Sequence, residues 1–205
     1  MPVSTPDRIV KRTFDVLVAG FALVIMAPVL VAAAVAVRFV LGRPVLFRQV
    51  RPGLKARPFT IHKFRTMSDT RDSSGALRPD AERLGRLGRW LRATSIDELP
   101  ELWDVLRGEM SIVGPRPLLM QYLDRYTTEQ ARRMEVKPGI TGLAQVSGRN
   151  AVGFQERFEL DVRYVDTWSF GLDLRIIARS LRSVIGRRGI SQEGHATSPE
   201  WMGNA

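Results

Sequence analysis

The residues best suited to chemistry are the adjacent acids Asp97 and Glu98, in the stretch Thr94-Ser95-Ile96-Asp97-Glu98-Leu99-Pro100. Two neighbouring carboxylates can divide their labour, one attacking an electrophile while the other holds a hard cation. Ser95 followed three residues later by Glu98 is a capping-box pattern, and Pro100 favours a first helical turn. These signals differ by a few positions on the first helical residue. Both put the acids at a helix N-terminus, where free N–H groups and the dipole keep Asp97 ionised and welcome a phosphate. Taken alone, acids at a helix start are ordinary caps. The basic segments around the pair point further. Lys63 and Arg65 close the preceding segment, Arg89 and Arg92 come just before the acids, and Gly114-Pro115-Arg116-Pro117 follows their helix. A second loop runs from Gly139-Ile140-Thr141-Gly142 through Gly148-Arg149-Asn150. Converging on a carboxylate pair, these segments make a site for a diphosphate and its metal.

Composition narrows that metal. There is no cysteine, so disulfides, thiolate zinc sites and a thiol nucleophile are all excluded. The histidines are His62 and His195, too few for a histidine-rich centre. A hard cation on carboxylates is what remains, with Mg²⁺ the default. The net charge of +10 calls for anionic partners such as phospholipid head groups, nucleotides or nucleic acid. Lysine occurs only at Lys11, Lys55, Lys63 and Lys137, so arginine supplies most of the 31 basic residues. Its planar fork suits phosphate.

The elements that must carry this site begin with an anchor. Val16 to Val37 holds no charged residue, and as a helix it extends about 33 Å, enough for a bilayer core of about 30 Å. The run is too long for a signal-peptide core, and Arg38, Arg43, Arg48 and Arg51 follow it. A buried soluble helix of this length normally shows a polar stripe, absent here. Arg8, Lys11 and Arg12 precede the run, so basic residues flank both ends. The positive-inside rule asks both ends to stay cytoplasmic, which one straight span does not allow. Pro28, near the middle, deletes a backbone hydrogen bond and kinks a helix. A bent helix that dips into the inner leaflet and returns is therefore preferred over a conventional span.

With 44% hydrophobic and 25% charged residues, the 205-residue chain is expected to fold as one domain. Its expected parts are a membrane helix over 9–41, a membrane-associated catalytic part over 42–187 and a tail over 188–205. Val45-Leu46-Phe47 and Phe59-Thr60-Ile61 read as short strands about a turn at Arg51-Pro52-Gly53, and Ser68–Asp80 as a polar loop. Helices are expected over Ala81–Leu91, Asp97–Leu106, Leu118–Met134 and Phe154–Val165, with glycine-rich loop and strand over Lys137–Asn150. Leu172–Ile185 is amphipathic, apolar at Leu174, Ile177, Leu181 and Val184 and basic at Arg175, Arg179 and Arg182. It can pack on the core or lie among head groups. The fold class is α+β, mainly helical, with a few short strands.

The chain resembles the monotopic polyprenyl-phosphate phosphoglycosyl transferases, also called bacterial sugar transferases. The likeness starts at Lys11-Arg12-Thr13-Phe14-Asp15 and includes His62-Lys63-Phe64-Arg65-Thr66-Met67, Ser95–Pro100 and Ser111-Ile112-Val113-Gly114-Pro115-Arg116-Pro117. It continues through Lys137–Gly142, Gly148-Arg149-Asn150 and Phe158-Glu159-Leu160-Asp161-Val162. The short chain and the ending Glu193-Gly194-His195-Ala196-Thr197 look most like the small enzymes acting on UDP-diacetylbacillosamine.

The resemblance implies a bacterial enzyme on the cytoplasmic face of the inner membrane, working by a ping-pong reaction. Asp97 attacks the β-phosphorus of a UDP-sugar, UMP leaves, and polyprenyl phosphate takes the phosphosugar from the aspartate. Glu98 holds Mg²⁺; Lys63, Arg92, Arg116 and Arg149 contact phosphate; Asp161 has a polar role in the site. The family also implies a re-entrant helix broken at a proline, matched by Pro28. Ala27 departs from the serine frequent before that proline, Glu101 and Asp104 from the usual Gln and Asn, and Leu143 and Ser147 from a common Trp and Asn. Two rival readings are a non-enzymatic, membrane-attached basic protein that binds nucleic acid or acidic lipid, and a metal-dependent hydrolase of UDP-sugars. The first leaves the acidic pair unexplained and lacks interleaved aromatic and basic residues. The membrane helix argues against the second.

Overall fold

The structure, a computed structural model, describes residues 5–148, 153–185 and 201–203. A single helix, α1 (Thr5–Val40), carries the apolar run and continues through Pro28. Its stretch from Asp7 to Val40 is long and apolar enough to cross a membrane. Pro28 therefore does not end the helix; it withdraws one N–H from a ladder that closes around it. Both legs of α1 pack on the rest of the molecule. Asp15, Ala19, Ala33 and Val37 are buried, whereas Val24, Ile25, Ala27, Pro28 and Val29 between them are exposed.

A hairpin follows, β1 (Leu46–Pro52) pairing antiparallel with β2 (Pro58–Phe64), so that Phe47 lies opposite Lys63. Both strands are longer than their sequence cores. The reversal falls at Gly53–Arg57 rather than at Arg51-Pro52-Gly53, closed by the Gly53 N–H on the Arg57 carbonyl at 2.8 Å. The helix expected over Ala81–Leu91 is two pieces, α2 (Asp80–Arg83) and α3 (Arg86–Ala93). Leu84 and Gly85 between them are non-helical, which lets Leu84 turn inward. Gly88 on α3 lies so close to the end of β2 that a Cβ there would stand 1.9 Å from the Thr66 carbonyl oxygen.

After a short 3₁₀ turn (Ile96–Glu98), α4 (Glu101–Arg107) ends at Gly108 in the left-handed conformation, a C-cap that glycine adopts without strain. Two three-residue strands, β3 (Ser111–Val113) and β4 (Gly139–Thr141), pair in parallel. The long helix expected over Leu118–Met134 is broken into a 3₁₀ turn (Met120–Arg125), α5 (Thr128–Ala131) and a second 3₁₀ turn (Arg132–Glu135). The cause is local: Tyr126 is extended, and Thr127 with Gln130 forms a full capping box that starts the chain afresh. Beyond β4 come α6 (Leu143–Ser147), α7 (Phe154–Thr167) and α8 (Phe170–Ile185).

The main core joins Ala19 of α1 to Phe59 and Ile61 of β2, Val105 of α4, Val113 of β3, Tyr164 of α7 and Ile176 of α8. A second cluster joins Ala33 and Val37 to Phe64 and Leu91. On α8 the inward face carries Asp173 and Ile176, while Leu174 and Leu181 of the anticipated apolar stripe are exposed. Ile177 of the same stripe packs against the main core, so the stripe is divided between core and surface.

Candidate active site

The acids stand on the 3₁₀ turn before α4, not on the helix itself. Ser95 has φ 56° and makes no side-chain cap; its backbone carbonyl accepts from the Glu98 N–H instead, at 3.2 Å. The capping box expected at Ser95 and Glu98 is thus absent, because a left-handed Ser95 turns its hydroxyl away from the following N–H groups. What this turn achieves is separation. Asp97 is buried toward α3, and Glu98 meets the basic residues of β2 and the loop after β3.

Glu98 is held firmly. Its Oε1 accepts from Lys63 Nζ at 2.6 Å and from Arg116 Nη2 at 2.5 Å. Lys63 Nζ also lies 3.0 Å from Oε1 of Glu101, the first residue of α4. Burial works against the Glu98 charge, but Arg116 and Lys63 outweigh it and hold the carboxyl well below its usual range. Among the described residues no donor hydrogen-bonds the Asp97 carboxylate. Burial and then repulsion by Glu98 push Asp97 up to about 6, opposed by Lys63, Arg116 and Arg92. A helix N-terminus is expected to keep Asp97 ionised; desolvation acts against that charge, so the carboxylate is ionised only above about pH 6. Glu101 is pushed up to about 7, by burial first and then by Glu98.

The other predicted residues divide into two groups. Lys63 and Arg116 meet at Glu98, and Arg92 lies close enough for its charge to act on Asp97 while its Nε donates to Thr66 Oγ1 at 3.0 Å. Asp161 lies elsewhere. It is almost fully buried, with Oδ2 accepting from Arg133 Nη2 at 2.6 Å and from Nε at 3.1 Å. Arg133 Nη2 also donates to the Arg116 carbonyl at 2.8 Å, so Asp161 reaches the acids through Arg133 and the Arg116 backbone. Arg149 lies outside the described residues. Pro28 sits on the exposed middle of α1.

Sequence reasoning passed over Arg51, Arg133 and Arg157. The guanidinium groups of Arg51 and Arg157 are both pushed down, by burial first and then by Arg116, so like charges crowd this side of the site. Such crowding suits a polyanion that neutralises it. One signal was available: Arg157 precedes Asp161 by one helical turn. Glu101 and Asp104, noted only as departures, prove to face β2. Asp104 accepts the His62 N–H at 3.0 Å and pairs with His62 Nδ1 at 2.7 Å, which sets β2 against α4 and so sets Lys63 beside Glu101.

Gly114 and Gly139 bring the Arg116 loop this close. A Cβ on Gly114 would stand 2.3 Å from the Lys137 carbonyl oxygen, and one on Gly139 would stand 2.0 Å from the Gly114 nitrogen. Backbone packs on backbone there. The donor set suits a metal shared with a substrate: among the described residues no cluster of three or more acids and histidines forms a protein-only cage. Glu98 accepts both Lys63 and Arg116 on Oε1, and a single further carboxylate oxygen fits a hard cation such as Mg²⁺, which commonly takes one or two carboxylates and completes its shell with phosphate and water.

Comparison with known proteins accords with this geometry. The model of the family described as bacterial sugar transferase matches residues 6–187. The chain is 54% identical over 196 residues to "Uncharacterized sugar transferase EpsL" of Bacillus subtilis, covering 96% of this chain and 97% of that one. It is 44% identical over 186 residues to the UDP-glucose:undecaprenyl-phosphate glucose-1-phosphate transferase of Caulobacter vibrioides, covering 85% and 69%. It is 36% identical over 196 residues to the exopolysaccharide production protein ExoY of Rhizobium meliloti, covering 87% of each. With the family model spanning nearly the whole described chain, this protein belongs to the bacterial sugar transferase family and is a sugar-phosphate transferase.

Proposed function

We propose that this enzyme moves a sugar-1-phosphate from a UDP-sugar to polyprenyl phosphate by a two-step displacement on Asp97. The observation that carries this reading is the contrast within the acid pair. Glu98 is saturated by Lys63 and Arg116, while Asp97 beside it keeps its lone pairs unbonded among the described residues. Neighbouring acids whose environments push them apart mark a division of roles. Above pH 6 Asp97 is ionised, buried and desolvated, the condition of an activated carboxylate nucleophile.

In the first step an Asp97 oxygen bonds to the β-phosphorus as the bond from that phosphorus to the bridging oxygen breaks, and UMP leaves with the electron pair. In the second, a polyprenyl phosphate oxygen attacks the same phosphorus and frees the carboxylate, yielding a polyprenyl-diphosphate-sugar. Arg116, Lys63 and Arg92 offset the charge that accumulates when an anion attacks an anion. Arg149 is assigned to the same task by family resemblance. Glu98 Oε2 would hold Mg²⁺, which supplies Lewis-acid neutralisation of the diphosphate.

A re-entrant α1 on the cytoplasmic face of a bacterial inner membrane supports access to both a soluble and a lipid substrate. The packing of α1 favours that topology. Straight, α1 would separate Ala19 from Val37 by about 27 Å. Their respective core clusters meet β2 at Ile61 and Phe64, only about 10 Å apart along a strand. The exposed middle, Val24–Val29, is then the part immersed in acyl chains, with Lys11, Arg12, Arg38 and Arg43 left at the phosphate level. The outward Leu174 and Leu181 of α8, with Arg175 and Arg179 on the same helix, suit the head-group layer of phospholipid.

The decisive test is trapping. Wild-type enzyme given UDP-sugar without acceptor is expected to carry a phosphosugar adduct on Asp97, read by mass spectrometry. Turnover with no adduct on that residue would remove the displacement mechanism. A donor panel led by UDP-glucose and UDP-diacetylbacillosamine, scored by UMP release, identifies the sugar. Cysteines placed at Val3 and Arg43 are expected to label from one side of the membrane; labelling from opposite sides would replace the re-entrant helix with a span.

A further inference from the structure

The last tryptophan of the chain makes a contact that the mechanism does not use. Trp201 is 7% exposed, although it stands near the C-terminus in a glycine- and proline-containing tail. It fills a box of four rings: Tyr122 at 5.4 Å, Tyr126 stacked at 5.4 Å, Phe154 stacked at 6.1 Å and Phe158 edge-on at 4.8 Å. Its backbone is satisfied as well. The Trp201 N–H donates to the Tyr122 hydroxyl at 3.0 Å, and the Arg125 guanidinium donates to its carbonyl. Ring packing and both backbone bonds together define one seat for this residue, beyond the general stickiness of an indole.

Behind the box lies Arg133. Its guanidinium sits over the Tyr126 and Phe158 rings, at 5.7 and 5.6 Å, and Nη1 donates to the Tyr126 hydroxyl at 3.0 Å. The same guanidinium grips Asp161 and the Arg116 carbonyl. Arg116 in turn holds Glu98. On the other flank Arg157, a member of the basic side of the site, lies over the Phe154 ring at 4.9 Å.

We propose that Trp201 is a positioning residue for the transferase site: by filling the aromatic box it fixes Tyr126 and Phe158, these orient Arg133, and Arg133 sets the Arg116 backbone against Glu98. The inference rests on the function proposed above for Asp97, Glu98 and Arg116. It adds that the C-terminal tail completes a phosphate-binding arm whose other members lie in the catalytic part. Loss of the indole leaves Arg133 bonded to Asp161 but free to tilt, and the Arg116 loop loosens with it.

The test uses the full chain in membranes or detergent, with Trp201→Ala, the ring-preserving Trp201→Phe, and Met202→Ala as an exposed neighbour. Trp201→Ala is expected to raise the KM for UDP-sugar about tenfold, with kcat reduced less and the KM for polyprenyl phosphate unchanged. Amide hydrogen exchange over residues 114–134 is expected to accelerate, while that over α1 stays as in wild type. Trp201→Phe is expected to recover most of the loss in both readouts, and Met202→Ala to match wild type. Unchanged kinetics and unchanged exchange in Trp201→Ala would overturn the proposal. So would a uniform loss across both substrates accompanied by faster exchange throughout the chain, which marks a merely structural tail. The exchange arm needs no turnover, so a wild-type enzyme that releases no UMP from any donor sinks the proposed function without deciding this point.

Discussion

Two buried aspartates of this molecule live in opposite surroundings. Asp173, fully buried on α8, accepts from Lys11 Nζ at 2.6 Å, the Tyr164 hydroxyl at 2.8 Å and Trp168 Nε1 at 3.2 Å. Asp97, nearly as buried, has no hydrogen-bond donor among the described residues and a like charge beside it. The saturated carboxylate ties the start of α1 to α7 and α8, and its bonds consume its lone pairs. The unsaturated one stores the cost of its own burial as reactivity. Asp161, gripped by Arg133, belongs with Asp173 in this respect. Saturation, more than burial, separates an acid that holds a fold from one that can attack phosphorus.

Exchanging each aspartate for asparagine should pull the two roles apart. Asp97→Asn is expected to lower UMP release on the order of 10³-fold or more. Its melting temperature should equal or exceed that of wild type, because a repelled buried charge is gone. Activity surviving in that variant would end the comparison. Asp173→Asn should do the reverse, destabilising by about 3 kcal/mol because Lys11 loses its buried counter-charge and one amide oxygen cannot serve all three donors. Its remaining folded fraction should turn over normally, measured as specific activity normalised to folded protein.

The pH dependence sharpens the contrast. Asp97 rises from 3.8 to about 6 on folding and Glu101 from 4.5 to about 7, so the native state holds protons that the unfolded chain has released. Their contribution to stability is therefore greatest below pH 4 and declines as pH climbs toward 7. Glu98, shifted downward from 4.5, contributes the opposite slope near and below that value, and above about pH 5.5 it is ionised in both states and leaves the slope unchanged. Melting temperature should fall between pH 5 and 7.5, and Glu101→Gln should flatten part of that fall. Activity should show the opposite trend, with kcat/KM dropping about tenfold per unit below pH 6 as Asp97 takes up its proton. A profile without an acidic limb near 6 would contradict the assignment of Asp97.

The smallest effect concerns the turn itself. Ser95 holds a left-handed conformation that costs a non-glycine residue about 1 kcal/mol, whereas the helix start at Asp173 is unstrained. Ser95→Gly is expected to stabilise by up to about 1 kcal/mol and to keep activity within about twofold. A large loss of activity would mean that the serine hydroxyl itself serves the reaction.

Much of this was legible in the chain read residue by residue. The apolar run, the hairpin, the helices α7 and α8, and the grouping of Lys63, Arg92 and Arg116 about the acid pair follow from periodicity, turn residues and local charge. These are short-range signals, carried by a few neighbouring positions. The break at Leu84-Gly85 was not legible, since it serves packing with a distant partner, Gly88 on the Thr66 carbonyl. The restart at Thr127 was written locally, in the Thr127 and Gln130 of its capping box, and the helix expected over Leu118–Met134 ran through it. Nor was the place of Asp161, which reads as a site residue until Arg133 is seen to claim it.

By itself the sequence determined which groups are available: two adjacent acids, a surplus of arginine, no thiol, and an apolar helix flanked by positive charge. Only the tertiary structure decided which acid is left unbonded, which arginine holds Glu98, and where the last tryptophan comes to rest. The reason is that desolvation and charge pairing depend on what lies within a few ångströms in space, and those neighbours come from β2, the loop after β3, α7 and the tail, far apart along the chain.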